Sequence, residues 1–255
     1  MNLPQHDSRP SATETVNRSG LRVAFFGGSF DPPHLGHLAV ARAARTAFAL
    51  DKVLFAPVGM QPLKREGSAA SFEDRLAMTR LAIAGEPGFE VSLADAPKAA
   101  DGRPAKPNYS IDTLQTLRSS LPSGCTLFCL MGADSFFTLH HWFRAAEIPF
   151  VAPLIVASRP GQPLEKIKDA LPAGLTLEAA QNAERNDADI EGRTFIVKNA
   201  AGDCVPFYVL PGLNVEISAS EIRAQLKMAR SDAAEAKLVP AAVREYIAQR
   251  KLYGS

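Results

Sequence analysis

The stretch Phe26-Gly27-Gly28-Ser29-Phe30-Asp31-Pro32-Pro33-His34-Leu35-Gly36-His37-Leu38 decides the fold. Before it, Leu21-Arg22-Val23-Ala24-Phe25-Phe26 is a short apolar run with the pattern of a buried strand. After it, Leu38, Val40, Ala41, Ala44, Ala47 and Phe48 recur at helical spacing, so a helix begins near Gly36. At a strand–turn–helix junction of this kind, glycines let a ligand approach the backbone. The helix start presents free N–H groups and the positive end of its dipole. His34 and His37, three residues apart, can face one bound group. Together these features describe a phosphate site.

Outward from that junction, strands and helices alternate. Lys52-Val53-Leu54-Phe55-Ala56-Pro57 is expected as a second strand and Val58 to Gly67 as a loop. Phe72 to Ala84 has helical spacing in Leu76, Thr79, Arg80 and Ile83, with Ser71 as its N-cap. Phe89 to Leu93 is a short strand, Ala94 to Asn108 a surface loop, and Ser110 to Leu121 a helix closed by Pro122 and Gly124. Cys125 to Met131 and Leu154 to Ser158 are strands. Phe195-Ile196-Val197 and Phe207-Tyr208-Val209-Leu210 flank a Gly-Asp turn, the pattern of a hairpin. Ser218 to Lys227 and Ala241 to Arg250 are helices. The alternation implies an α/β fold, a parallel sheet with helices on both faces, whose ligands sit at the carboxyl ends of the strands near a topological switch point. The loops after Phe26, Phe55, Met131 and Ala157 should therefore share one edge.

Lys and Arg number 28 against 27 acidic residues, which gives no global field for nucleic acid or an anionic membrane. No apolar run reaches the roughly 18–20 residues of a membrane span. Residues 1–20 are polar and without the apolar core of a signal peptide, so a disordered tail and a cytoplasmic protein are expected. Three cysteines fit reduced thiols. Cys125 and Cys129 are expected as small buried residues on one strand face, not as metal ligands.

The opening stretch resembles the G-x-[ST]-F-D-P-x-H-x-G-H signature of the nucleotidylyltransferase superfamily. Within it the chain is similar to bacterial nicotinate-mononucleotide adenylyltransferases from about Leu21 to Tyr253. The resemblance implies a Rossmann-like doubly wound sheet, in one domain over 21–255 whose C-terminal helical part covers about 217–255. It also implies transfer of AMP from ATP to nicotinate mononucleotide, in NAD biosynthesis, with Mg²⁺ carried by ATP and no metal held by the protein alone. The partners are then the two nucleotides, with oligomeric state open and a homo-oligomer among the options.

Residue by residue, the resemblance assigns His34 and His37 to the triphosphate, and Gly27, Gly28, Ser29 and Phe30 to the lining of the phosphate region. Lys64 matches the lysine of the family's Pro-Pro-His-Lys loop, although Gln61 and Leu63 depart from that pattern. Ile217-Ser218-Ala219-Ser220-Glu221-Ile222-Arg223 resembles the I-S-[SA]-[ST]-x-I-R element that closes the ATP site, which brings in Ser218, Ser220 and Arg223. Tyr109 and Ser110 resemble the start of S-Y-T-x-x-T-L, where Ser110 replaces the usual threonine. Gly132 and Asp134 match a G-x-D strand end, and Trp142 and Phe143 an aromatic pair for the pyridine ring. Arg159, which follows a strand end, is expected to touch the nucleotide. Such chemistry needs no general base, because a phosphate monoester is mostly dianionic at neutral pH. It needs alignment and charge neutralisation.

Other readings of the same pattern fit less well. An NAD-dependent oxidoreductase would want G-x-G-x-x-G after the first strand, where this chain has Gly27-Gly28-Ser29-Phe30-Asp31-Pro32. A nucleotide sensor would have damaged phosphate groups, yet both histidines and Arg223 are intact. A class I tRNA synthetase would carry a K-M-S-K-S-like loop that is missing here.

Overall fold

The computed structural model describes residues 20–63, 67–98, 107–158, 164–180, 193–210, 217–228 and 238–254. Lys64, Arg159 and all but Gly20 of the expected tail lie outside them. The first half alternates as expected: β1 (Arg22–Gly28), α1 (Leu35–Ala47), β2 (Lys52–Pro57), α2 (Phe72–Ala82), β3 (Phe89–Val91), α3 (Ser110–Ser120) and β4 (Thr126–Gly132). Then follow α4 (Ala133–Phe137), α5 (Ile148–Val151), β5 (Leu154–Ala157), α6 (Leu164–Asp169) and β6 (Leu175–Ala179). The chain continues with β7 (Arg193–Asn199), β8 (Cys204–Leu210), α7 (Ala219–Met228) and α8 (Ala241–Arg250), and a 3₁₀ turn, Leu252–Gly254, succeeds α8.

The eight strands form one sheet in the order β3-β2-β1-β4-β5-β8-β7-β6. The sheet is mostly parallel. β7 is antiparallel to both β8 and β6, and the expected hairpin is the β7–β8 pair. The chain builds outward from β1 through β2 to β3, then returns to place β4 on the other side of β1. That reversal is the switch point, and it opens a crevice beyond the ends of β1 and β4.

Alternate residues of each central strand feed two separate cores. Ala24, Phe26, Phe128, Leu130, Ile155 and Tyr208 face α1, α2, α7 and α8, through Leu38, Ala41, Met78, Ile222, Val243 and Ile247. Val23, Phe25, Leu127, Cys129, Val156 and Phe207 face α3 to α6, through Ile111, Leu114, Phe136, Ile148 and Ile167. The period-2 alternation of a strand buried on both faces thus gives a doubly wound sheet. The C-terminal helices join the first core instead of forming one of their own.

Three local expectations are corrected. Cys125 lies before β4 and is half-exposed, while Cys129 is buried. β3 stops at Val91. On α2 the buried face is Asp74, Arg75, Met78, Thr79 and Ala82, and Arg80 is exposed. Arg75 is buried on that face, where it hydrogen-bonds two backbone carbonyls. Ser71 caps α2 as expected, its hydroxyl accepting the Asp74 N–H at 3.0 Å.

Candidate active site

A cleft of about 1070 Å³ opens over the carboxyl ends of the central strands. The loops after β1, β2, β4 and β5 all reach it, as do the first residues of α1, α3 and α7. With the start of α4, at Ala133 to Ser135, four helix N-termini therefore converge on one cavity.

His34 is the N-cap of α1, with extended backbone (φ −138°, ψ 170°). Its N–H donates to Nδ1 of His37 at 3.2 Å, and the two rings stack with centroids 3.7 Å apart. Because Nδ1 of His37 accepts, the proton of its neutral ring belongs on Nε2. Burial lowers the His34 pKa to about 4, and burial together with His34 holds His37 well below the ordinary imidazole value. Both rings are neutral donors at pH 7. His37 also meets the edges of Phe30 and Phe26, at 4.9 and 6.1 Å, which wall it with aromatic carbon.

Phe30 is fully buried in a left-handed conformation (φ 47°). A Cβ on Gly28 would come 3.2 Å from its ring, and one on Gly27 would press at 2.8 Å on the buried ring of Phe25. Gly132 differs. A Cβ there would meet no protein atom within 4 Å, so its bareness leaves room on the cleft side and serves no packing.

Arg223, one turn into α7, donates from Nη1 to the Asp31 carbonyl at 2.6 Å and from Nη2 to Ser220 Oγ at 3.1 Å. Ser218 precedes the helix and its carbonyl accepts the Ile222 N–H at 3.0 Å. Arg223, Ser218, Ser220 and both histidines line the same cleft. At its other end, Tyr109 caps α3 and packs on Phe143 with centroids 4.7 Å apart. Phe143 is 51 % exposed, whereas Trp142 is half-buried against the second core. The N–H groups of Ser110 and Phe143 donate to nothing among the described residues. Asp134 is exposed in the first turn of α4. Arg144 is held by Glu147, with Nε to Oε1 at 2.7 Å and Nη2 to Oε2 at 2.5 Å, and does not line the cleft.

The cytidylyltransferase-like family model matches residues 25–225. A Geobacter sulfurreducens protein named "Probable nicotinate-nucleotide adenylyltransferase" is 34% identical over 234 residues, 91% of this chain and 98% of its own. A Gloeobacter violaceus protein of the same name is 37% identical over 92% of this chain and 97% of its own. The chain belongs to the nicotinate-nucleotide adenylyltransferases. The fold is shared with the Plasmodium falciparum nicotinic acid mononucleotide adenylyltransferase complexed with NaAD, at TM-score 0.63 and 16% identity over 92% of this chain and 98% of that one.

In this nucleotidyltransferase the described residues bring His34, His37, Ser29, Phe30, Arg223 and the two serines into one cleft with Tyr109, Ser110, Asp134, Trp142 and Phe143. Three supporting residues escaped the sequence reading. Arg75 is 2% exposed and donates to the Ser29 and Val58 carbonyls, both at 2.8 Å, so it ties the loop after β1 to the loop after β2. Gln61 donates to Ser29 Oγ at 2.9 Å across the same gap. Asn108 accepts the Met60 N–H at 3.1 Å and donates to the Ala96 carbonyl at 3.0 Å. An arginine between the helix N-cap and an apolar face was the available signal for the first.

Proposed function

We propose that the phosphate of nicotinate mononucleotide attacks the α-phosphorus of ATP in this cleft. The new P–O bond gives nicotinate adenine dinucleotide, and the bond to the β-phosphate breaks to release pyrophosphate. The observation that carries this reading is the pair of stacked, neutral imidazoles at the start of α1, in one cleft with Arg223. Donors held rigidly at a helix N-terminus suit a triphosphate whose charge shifts during transfer.

The roles follow from the chemistry. Nε2–H of His37 donates to a non-bridging α-phosphate oxygen, and the N–H groups at the start of α1 add to it. Arg223 keeps donors beyond the two it spends on Asp31 and Ser220, and these meet the departing pyrophosphate. Lys64 and Arg159 are assigned to the phosphates by sequence alone. Tyr109, Trp142 and Phe143 form the aromatic wall for the pyridine ring. The N–H groups of Ser110 and Phe143 receive its carboxylate, and Asp134 the ribose hydroxyls. An N–H donor favours the acid over the amide, whose NH₂ also needs an acceptor.

Among the described residues no three His, Cys, Asp or Glu side chains converge. Mg²⁺ would be held by the triphosphate itself, as suits an ion that keeps water and binds substrate phosphates, and would neutralise the β- and γ-charge. No described helix is long and apolar enough to cross a membrane, and we place the enzyme in the cytoplasm with its nucleotide substrates.

The test is pyrophosphate release from ATP with nicotinate or nicotinamide mononucleotide as acceptor, side by side. The nicotinate form is expected to give the higher kcat/KM, and preference for the amide would overturn the carboxylate assignment. His37→Ala should lower kcat by about 10²–10³ with little loss of melting temperature, since one charge-stabilising donor is removed. Near wild-type turnover would rule out this mechanism.

A further inference from the structure

We propose that Tyr253, in the turn after α8, is a positioning residue for ATP, acting through the carboxylate of Asp31; this rests on the adenylyl-transfer reading above. Its hydroxyl donates to Asp31 Oδ1 at 2.7 Å across 222 residues of sequence. Both groups are buried, at 9% and 3% exposure. The same carboxylate accepts the Ala69 N–H at 2.6 Å on Oδ2 and the Ala70 N–H at 3.2 Å on Oδ1. One carboxylate thus gathers the phosphate loop, the segment before α2 and the C-terminal turn.

The link to the reaction runs through the backbone of the same residue. The Asp31 carbonyl is where Arg223 Nη1 is anchored, and His34 lies three residues further on. The turn Leu252–Gly254 packs on α7, the helix that carries Arg223. Tyr253 itself is held at φ 61°, a left-handed conformation unfavourable for a bulky residue. Such a conformation persists only where its surroundings fix it. Here they do so with a ring in the first core and a hydroxyl on Asp31. Arg75 holds the carbonyl of Ser29, two residues before Asp31, at 2.8 Å. Loss of the hydroxyl leaves the buried carboxylate two donors instead of three, and Asp31 then shifts the anchor of Arg223. The mononucleotide half, built on the opposite core, is untouched.

The experiment measures kcat, both KM values and melting temperature for wild type, Tyr253→Phe and Val197→Ala, the last a core truncation in β7 away from the cleft. Tyr253→Phe is expected to lose about 5- to 30-fold in kcat/KM for ATP, below the full effect of a hydrogen bond to a charged group because it acts at one remove. Its KM for nicotinate mononucleotide should stay at the wild-type value, and Val197→Ala should keep wild-type kinetics at the assay temperature. Wild-type ATP parameters in Tyr253→Phe overturn the proposal, as does an equal loss toward both substrates. Asp31→Asn supplies the same test if Tyr253→Phe does not fold. The double variant should be no worse toward ATP than Asp31→Asn alone, and additive losses would contradict coupling through Asp31. If wild type releases no pyrophosphate from this substrate pair, it is the functional reading that fails.

Discussion

At the scale of single residues, the two histidines link chemistry to stability through one physical cause. Burial makes the charged imidazole costly, so His34 titrates at about 4 and His37 well below its ordinary value. The unfolded chain binds these protons near pH 6.5. Below that pH the unfolded state holds more protons than the native one, and stability falls as pH drops toward 4. For His34 alone the full loss is about 3 kcal/mol. Urea unfolding of the ligand-free protein between pH 7 and 4 should show this decline, and His34→Asn should flatten it. An unchanged slope in the variant would show that the imidazole is already solvated. The strand, turn and helix of this motif were legible because an apolar run, glycines and helical spacing are all local signals. The structural duty of Asp31 was not, because a carboxylate within a signature gives no sign of a partner more than two hundred residues away.

At the scale of elements, α2 shows why a helix can be foreseen and its buried face misjudged. Ser71 and the acidic first turn mark the start, and both are local. Which face is buried depends on two carbonyls supplied by other loops, at Ser29 and Val58. The same face is also fastened to α8. Asp74 accepts from Ser71 and from the hydroxyl of Tyr246 on α8, at 2.8 and 2.9 Å. Arg75→Met keeps much of the apolar stem but leaves both carbonyls without their charged donor. Each such bond is worth about 1.5–3 kcal/mol. The variant should lose about 3 kcal/mol in denaturant unfolding and turn over more slowly, since Ser29 and Val58 both line the cleft. A variant with wild-type stability would mean that water replaces the guanidinium. Other elements escaped the sequence for a similar reason. α4, α5 and α6 are four to six residues long, too short to carry a period and formed by packing on the sheet. β6 is an edge strand with no fully buried residue, so it lacks the apolar run that announced β4 and β5.

At the scale of the whole molecule, the sheet divides the supports of the cleft. α1 and α7, which carry His37 and Arg223, pack in the first core. α3, α4 and the Trp142 segment pack in the second, and the proposed function gives the triphosphate to the former and the mononucleotide to the latter. On that reading the reacting atoms meet where the chain reverses between β1 and β4, because both loop sets emerge there. Such an arrangement predicts independence. Trp142→Ala should raise KM for nicotinate mononucleotide by an amount worth about 1–3 kcal/mol, the range of a base stacked on an aromatic side chain. Its KM for ATP should barely move. Arg223→Ala should do the reverse, raising KM for ATP and lowering kcat. The two substitutions sit on separate cores, so their free energies should add to within about 0.5 kcal/mol in the double variant. Steady-state kinetics of the four proteins test this directly. A strong departure from additivity would show that the halves are coupled across the sheet, and loss of ATP affinity in Trp142→Ala would place that ring on the adenylate side of the cleft.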